Sequence, residues 1–171
     1  ANTSPGESIF TESLTYPGLK SAATALRLKL IGIEMDANGI VPDALARACR
    51  RHGDVRLIYL MPTMHNPTTA TIPQRRRQEL AGIIEKRDLT LIEDDPYAFL
   101  TTGITPLASL IPGRTYLTAS LSKSVTPGLR ISFVATPGHD QALQLGNALR
   151  ASLQMSVPLA LAVATRWLRD G

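Results

Sequence analysis

Lys123 lies in the segment ASLSKSVTPGLR (119–130), with Ser120 three residues before it, Ser122 beside it and Arg130 seven residues after. A lysine among small hydroxyl residues has room to present its amine, and such an amine condenses with an aldehyde to an imine. An arginine beside serines suits a phosphate, because the planar guanidinium offers paired donors to its oxygens. Further polar groups share this character: Asn66 in HNPT (65–68), Asp94 and Tyr97 in EDDPY (93–97), and Tyr16 in ESLTYPG (12–18). An aspartate can pair with a cationic ring nitrogen, worth on the order of 4 kcal/mol at about 4 Å in a partly dry site. An asparagine amide and a tyrosine hydroxyl can donate to a phenolate oxygen, and a second tyrosine offers a flat face for stacking.

Each of these groups comes at or after the end of a segment that has the character of a strand. Strands are expected at 7–12, 29–36, 55–62, 89–95, 114–120 and 130–137. Helices are expected at 16–28, 42–52, 73–88 and from 138 onward, with Pro158 kinking or ending the last. Pro42 and Pro73 open their helices, and basic residues close the helix at 42–52, where the carbonyl end favours them. This alternation predicts an α/β fold: three α/β/α layers around a mostly parallel sheet. Ligands of such sheets bind beyond the carboxyl ends of the strands. There the chain places Glu12 and Tyr16, then PTMHNPT, EDDPY and SLSK. If KSVTPG reverses the chain, the last strand runs antiparallel and Arg130, opening it, joins the same rim. One common molecule carries an aldehyde, a phosphate, a pyridine nitrogen and a phenol together, and that is pyridoxal 5'-phosphate.

The bulk composition excludes several other classes. The 171 residues, 44% hydrophobic and 19% charged, suffice for one globular domain with a core. Net charge is +4, but the basic residues are scattered. Their one tight cluster, Arg75-Arg76-Arg77, is expected to be a solvated helix face and not a nucleic-acid contact. Cys49 is the only cysteine, so no internal disulfide forms; it is expected to fill apolar space on a helix, and the protein to be cytoplasmic. No apolar run approaches the roughly 20 residues of a membrane span, and no signal peptide is visible. His52, His65 and His139 lack the spacing of metal ligands, so no metal is expected. Ser120-Leu121-Ser122-Lys123 also fits the S-x-x-K of serine β-lactamases, but their S-D-N and K-T-G companions do not occur.

Taken together, SxSKxxxPGLR, HNPT, EDDPY and ESLTYPG resemble the motifs of the large domain of fold-type I pyridoxal-phosphate enzymes, in the class I/II aminotransferase superfamily. The match runs from about residue 5 to the end. It implies a Schiff-base lysine at Lys123 and phosphate contacts from Ser120 and Arg130, with Ser122 as a further phosphate or loop contact. It implies Asp94 at the ring nitrogen, Asn66 and Tyr97 at the phenolic oxygen, and Tyr16 stacked on the ring. Catalysis would rest on Lys123, Asp94 and Tyr97. Leu14 replaces the family's usual proline, and Thr69 stands where a glycine commonly follows NPT.

The resemblance further implies that residues 1–171 are a partial large domain, truncated at both ends, whose Gly-rich phosphate loop and C-terminal small domain lie outside the chain. It implies a homodimer acting on an amino acid or amine and a 2-oxo acid. PTMHNPTTATIP and PLALAVATRWLRDG look most like the aminotransferase-like domain of MocR-type regulators in the GntR group. In that alternative the same pocket senses an effector without steady turnover, and DNA is reached only through a helix-turn-helix domain not present in this chain.

Overall fold

A computed structural model describes residues 3–155 and 157–170. Ala1, Asn2, Ser156 of the helix expected from 138 onward, and Gly171 lie outside the described residues. The chain runs β1 (Ser8–Glu12), α1 (Pro17–Ala25), β2 (Lys29–Ile33), β3 (Met35–Asp36), β4 (Gly39–Ile40), α2 (Pro42–Arg51), β5 (Leu57–Leu60) and α3 (Gln74–Lys86). It continues through β6 (Thr90–Asp94), α4 (Leu107–Leu110), β7 (Thr115–Ser120), α5 (Leu121–Ser124), β8 (Ser132–Ala135), α6 (His139–Leu153) and α7 (Pro158–Asp170).

Six strands form one sheet in the order β2-β1-β5-β6-β7-β8. Every pairing is parallel except the last, in which β8 runs antiparallel to β7. The central strands are apolar on both faces because helices cover both. On one face, Phe10, Ile58, Leu60 and Leu91 pack with Leu45 and Cys49 of α2, Leu80 and Ile84 of α3, and Leu107 of α4. Each of the buried Leu, Ile and Phe side chains among them contributes about 1.5–3 kcal/mol. On the other face, Ile9, Leu57, Ile92 and Tyr116 meet Leu19, Ala23 and Leu26 from α1 and its C-terminal flank, and Leu145 of α6, around a cavity of about 370 Å³. The three-layer architecture and the buried Cys49 agree with the sequence expectation. Among the described residues, no helix is long and apolar enough to cross a membrane.

The structure departs from expectation in four places. The strand expected at 29–36 stops at Ile33, and Met35–Asp36 pairs instead with Gly39–Ile40 as a separate antiparallel ribbon. Gly39 turns it with a φ of +86°, and a Cβ there would lie 2.8 Å from Ile72 Cγ1. Pro73 is the residue before α3, not its first. Arg130 precedes β8 instead of opening it. The Arg75-Arg76-Arg77 cluster is not one solvated face. Arg75 is exposed and pairs with Glu79, Arg76 binds Asp36 and the Gly39 carbonyl, and Arg77 is only 1% exposed. Successive helical residues point about 100° apart, so a run of three cannot share one environment.

Candidate functional site

The parallel register sets Asp94 of β6 beside Thr118 of β7. Ser120, two residues on, is roughly 7 Å farther along the strand. The antiparallel register then sets Ser120 opposite Ser132 of β8, so Arg130, just before β8, stands beyond the end of β7. A carboxylate and a cation are thus held at different depths of one rim.

Asp94 is gripped on both oxygens. The Tyr59 hydroxyl donates to Oδ2, and the Thr118 hydroxyl donates to Oδ1 at 2.7 Å. Burial and the neighbouring Asp94 carboxylate push the Tyr59 phenol upward, so it stays a protonated donor. Lys123 sits on the single turn α5, whose first amides are capped by Ser120: its Oγ accepts from the Ser122 N–H at 3.1 Å. The Lys123 Nζ lies 6.0 Å from the centre of the Tyr97 ring. The Thr126 hydroxyl accepts from the Gly128 N–H at 3.3 Å and starts the Pro127–Leu129 turn. Arg130 closes that turn in the left-handed region, at φ 53° and ψ 38°. A non-glycine residue is uncommon there and held only by its surroundings.

All eight residues singled out in the sequence, Tyr16, Asn66, Asp94, Tyr97, Ser120, Ser122, Lys123 and Arg130, line one cavity of about 310 Å³. Met61, Pro96, Pro127 and Ser132 complete its wall. That volume is at the lower end of the range for small-molecule pockets. Tyr16 in its lining is 42% exposed. None of the ion pairs among the described residues engages Lys123 or Arg130. Two cations thus face the cavity without a carboxylate partner there, while the Asp94 carboxylate faces the same space.

Glu12 and His65, the first residues of ESLTYPG and HNPT, meet in a buried contact whose burial the motifs do not disclose. Glu12 Oε1 accepts from the Met61 N–H at 3.1 Å, and Glu12 Oε2 lies 3.8 Å from His65 Nε2. Burial pushes the Glu12 carboxyl up to about 8 and pushes the His65 imidazole down. Both changes favour the neutral forms, so at neutral pH this contact is not an ion pair. Tyr59 and Thr118 were missed for a related reason. A hydroxyl inside an apolar strand was the only signal for each, and strand register, which brings them to Asp94, is not written in either segment.

A family model for class I and II aminotransferases matches residues 1–170. The chain belongs to that family. This aminotransferase-family chain is 39% identical over 134 residues to an uncharacterized HTH-type transcriptional regulator, YdeF, of Bacillus subtilis, covering 78% of the chain and 29% of that protein. It is 35% identical over 144 residues to the aminotransferase swnA of Metarhizium robertsii, covering 75% of the chain and 29% of that protein. The crystal structure of an archaeal alanine:glyoxylate aminotransferase superposes with a TM-score of 0.90 at 29% identity, over 99% of this chain and 44% of that one. The chain spans less than a third of the length of these two curated relatives. Pyridoxal phosphate is the family's cofactor, and the donor set fits it: an amine, a guanidinium with serine hydroxyls, and a doubly held carboxylate around one cavity.

Proposed function

We propose that the complete protein binds pyridoxal 5'-phosphate in this cavity and transfers an amino group between an amino acid and a 2-oxo acid. The observation that carries the proposal is the convergence of all eight motif residues on one cavity, with Lys123 and Arg130 free of carboxylate partners among the described residues. Arg130, Ser120 and Ser122 hold the phosphate. Asp94, fixed by Tyr59 and Thr118, holds the ring nitrogen. Asn66 and Tyr97 donate to the phenolic oxygen, and Tyr16 covers the ring. Lys123 would supply the amine that holds the aldehyde, and once the substrate's amine has displaced it, the freed amine would take the proton from the amino acid's α-carbon and later give one to the α-carbon of the 2-oxo acid. When bound, the cofactor supplies an electron sink for that carbon.

The homodimer implied by the resemblance and the cytoplasmic location expected from the single cysteine belong to this proposal. Supporting a covered surface, Leu153, Met155, Leu159 and Leu168, on and beside α6 and α7, are each more than 60% exposed. The phosphate loop and small domain expected outside the chain belong to it too, in keeping with the share of its relatives that the chain spans.

A second reading is favoured by the regulator relative at 39% identity. In it the same residues hold the cofactor, an amine or amino acid acts as effector, and a separate helix-turn-helix domain reaches DNA.

The test is an absorbance spectrum of the complete protein with pyridoxal phosphate, with borohydride reduction and peptide mapping afterwards. A visible band and an adduct fixed on Lys123 are expected. No band, or an equal band in Lys123→Ala, would refute cofactor attachment at this site. Amino acids added one at a time, each with a 2-oxo acid as acceptor, then separate the readings: repeated keto-acid release marks turnover, and a spectral change without it marks sensing.

A further inference from the structure

Among the described residues, Arg77 is the largest of the wholly buried side chains, and no motif pointed to it. Its guanidinium faces three backbone or hydroxyl acceptors and one carboxylate. Nε donates to the Ile72 carbonyl at 2.9 Å. Nη2 donates to the Pro62 carbonyl at 3.0 Å and to Thr63 Oγ1 at 2.9 Å. Nη1 lies 3.7 Å from Glu93 Oε1. Pro62 and Ile72 are the two ends of the loop that carries Asn66, and the Ile72 N–H already donates to the Pro62 carbonyl at 2.8 Å. One planar fork thus closes that loop at its base. The Thr63 hydroxyl passes the contact on by donating to Asp95 Oδ2 at 2.8 Å. Asp95 is the residue after Asp94 and two before Tyr97. Glu93, on the other side of Asp94, is also buried and accepts from the Leu107 and Ala108 N–H groups at 2.9 and 2.6 Å.

A charge with this burial is a costly way to fill space, and apolar packing of similar volume is often as stable. What an apolar residue cannot do is hold fixed acceptors on two separate segments at once. Lysine cannot do it in the same way either, because its point charge lacks the rigid fork. We propose that Arg77 is a positioning residue: it ties the loop carrying Asn66 to the strand end carrying Asp94 and Tyr97. In doing so it sets how far apart the groups addressing two different parts of the ring are held. The role of those groups rests on the proposed function; the tie itself does not.

The experiment uses the complete protein and the variant Arg77→Lys. Amide hydrogen exchange is read first without cofactor. The amides of His65, Thr69 and Ile72, which close the loop internally, are expected to exchange about ten- to a hundredfold faster, the effect of losing a charge-assisted hydrogen bond. The amides of β5 and β6 should keep their protection. With cofactor, the pH midpoint of the visible band is expected to move, because Asn66 no longer meets the phenolic oxygen at its set distance. Unchanged loop exchange overturns the tie, and an unchanged midpoint overturns the positioning role. If Arg77→Lys loses protection everywhere, Thr63→Val decides: faster exchange confined to 62–72 and 95–97 supports the tie, and any other pattern overturns it. A loop-confined response in a protein that binds no cofactor would overturn the proposed function and leave the tie standing.

Discussion

The Tyr59 hydroxyl donates to the Asp94 carboxylate across two neighbouring strands, 35 residues apart in sequence. With Thr118 on the other oxygen, it leaves Asp94 a single orientation at the rim. Tyr59→Phe is expected to keep the fold, cost about 1 kcal/mol of stability, and weaken cofactor binding about tenfold. Thr118→Val should act in the same direction. Because the two hydroxyls share one carboxylate, the double variant should depart from additivity. Spectroscopic titration with pyridoxal phosphate and denaturant melts of all four proteins check this, and strictly additive losses would count against a shared role.

Ser120 caps the turn that carries Lys123. Ser120→Ala is expected to cost about 1 kcal/mol in thermal denaturation without cofactor. It should also speed release of the bound cofactor, since the lysine's turn and the proposed phosphate contact would be loosened together. An unaltered melting curve would show that the cap carries no stability.

Arg130 separates strain from binding. In Arg130→Gly, relief of the left-handed backbone opposes the added freedom of glycine in the unfolded chain. Stability without cofactor should therefore change by less than about 1 kcal/mol. Affinity for pyridoxal phosphate should fall about ten- to a hundredfold, while affinity for pyridoxal, which has no phosphate, stays as it was. Equal losses for both ligands would remove the phosphate from Arg130.

Glu12 makes stability depend on pH. Its folded carboxyl titrates near 8, against 4.5 unfolded, because burial penalises the charge. The folded state therefore holds a proton that the unfolded state has released. The contribution is fully present below about 4.5 and is lost as pH rises to about 8. Glu12→Gln keeps an acceptor for the Met61 N–H and removes the titration. Denaturant melts from pH 5 to 8 should show the variant gaining on the parent by up to about 1.4 kcal/mol per pH unit. A constant difference across that range would mean that Glu12 is ionised throughout.

Much of the grouping of the candidate residues was legible because it is local in sequence. Ser120, Ser122, Lys123 and Arg130 lie within one short segment, and their spacing survives whatever the rest of the chain does. Asn66, Asp94, Tyr97 and Tyr16 each stand at or just past the end of an apolar strand, and a parallel sheet delivers the carboxyl ends of its strands to one edge. Alternating strand and helix patterns likewise determined the layered α/β fold, because burial on both sheet faces demands it.

The support beneath the site was decided only by tertiary structure. Tyr59 reaches Asp94 through strand register, which no single segment encodes. Glu12 and His65 become neutral because layers from different parts of the chain exclude water from both. Arg77 differs from Arg75 by position alone: the same residue type, two places along a helix, faces the core instead of solvent. Side-chain chemistry and short spacing are properties of the sequence, whereas burial and distance between remote residues exist only after the sheet has assembled and its helices have packed.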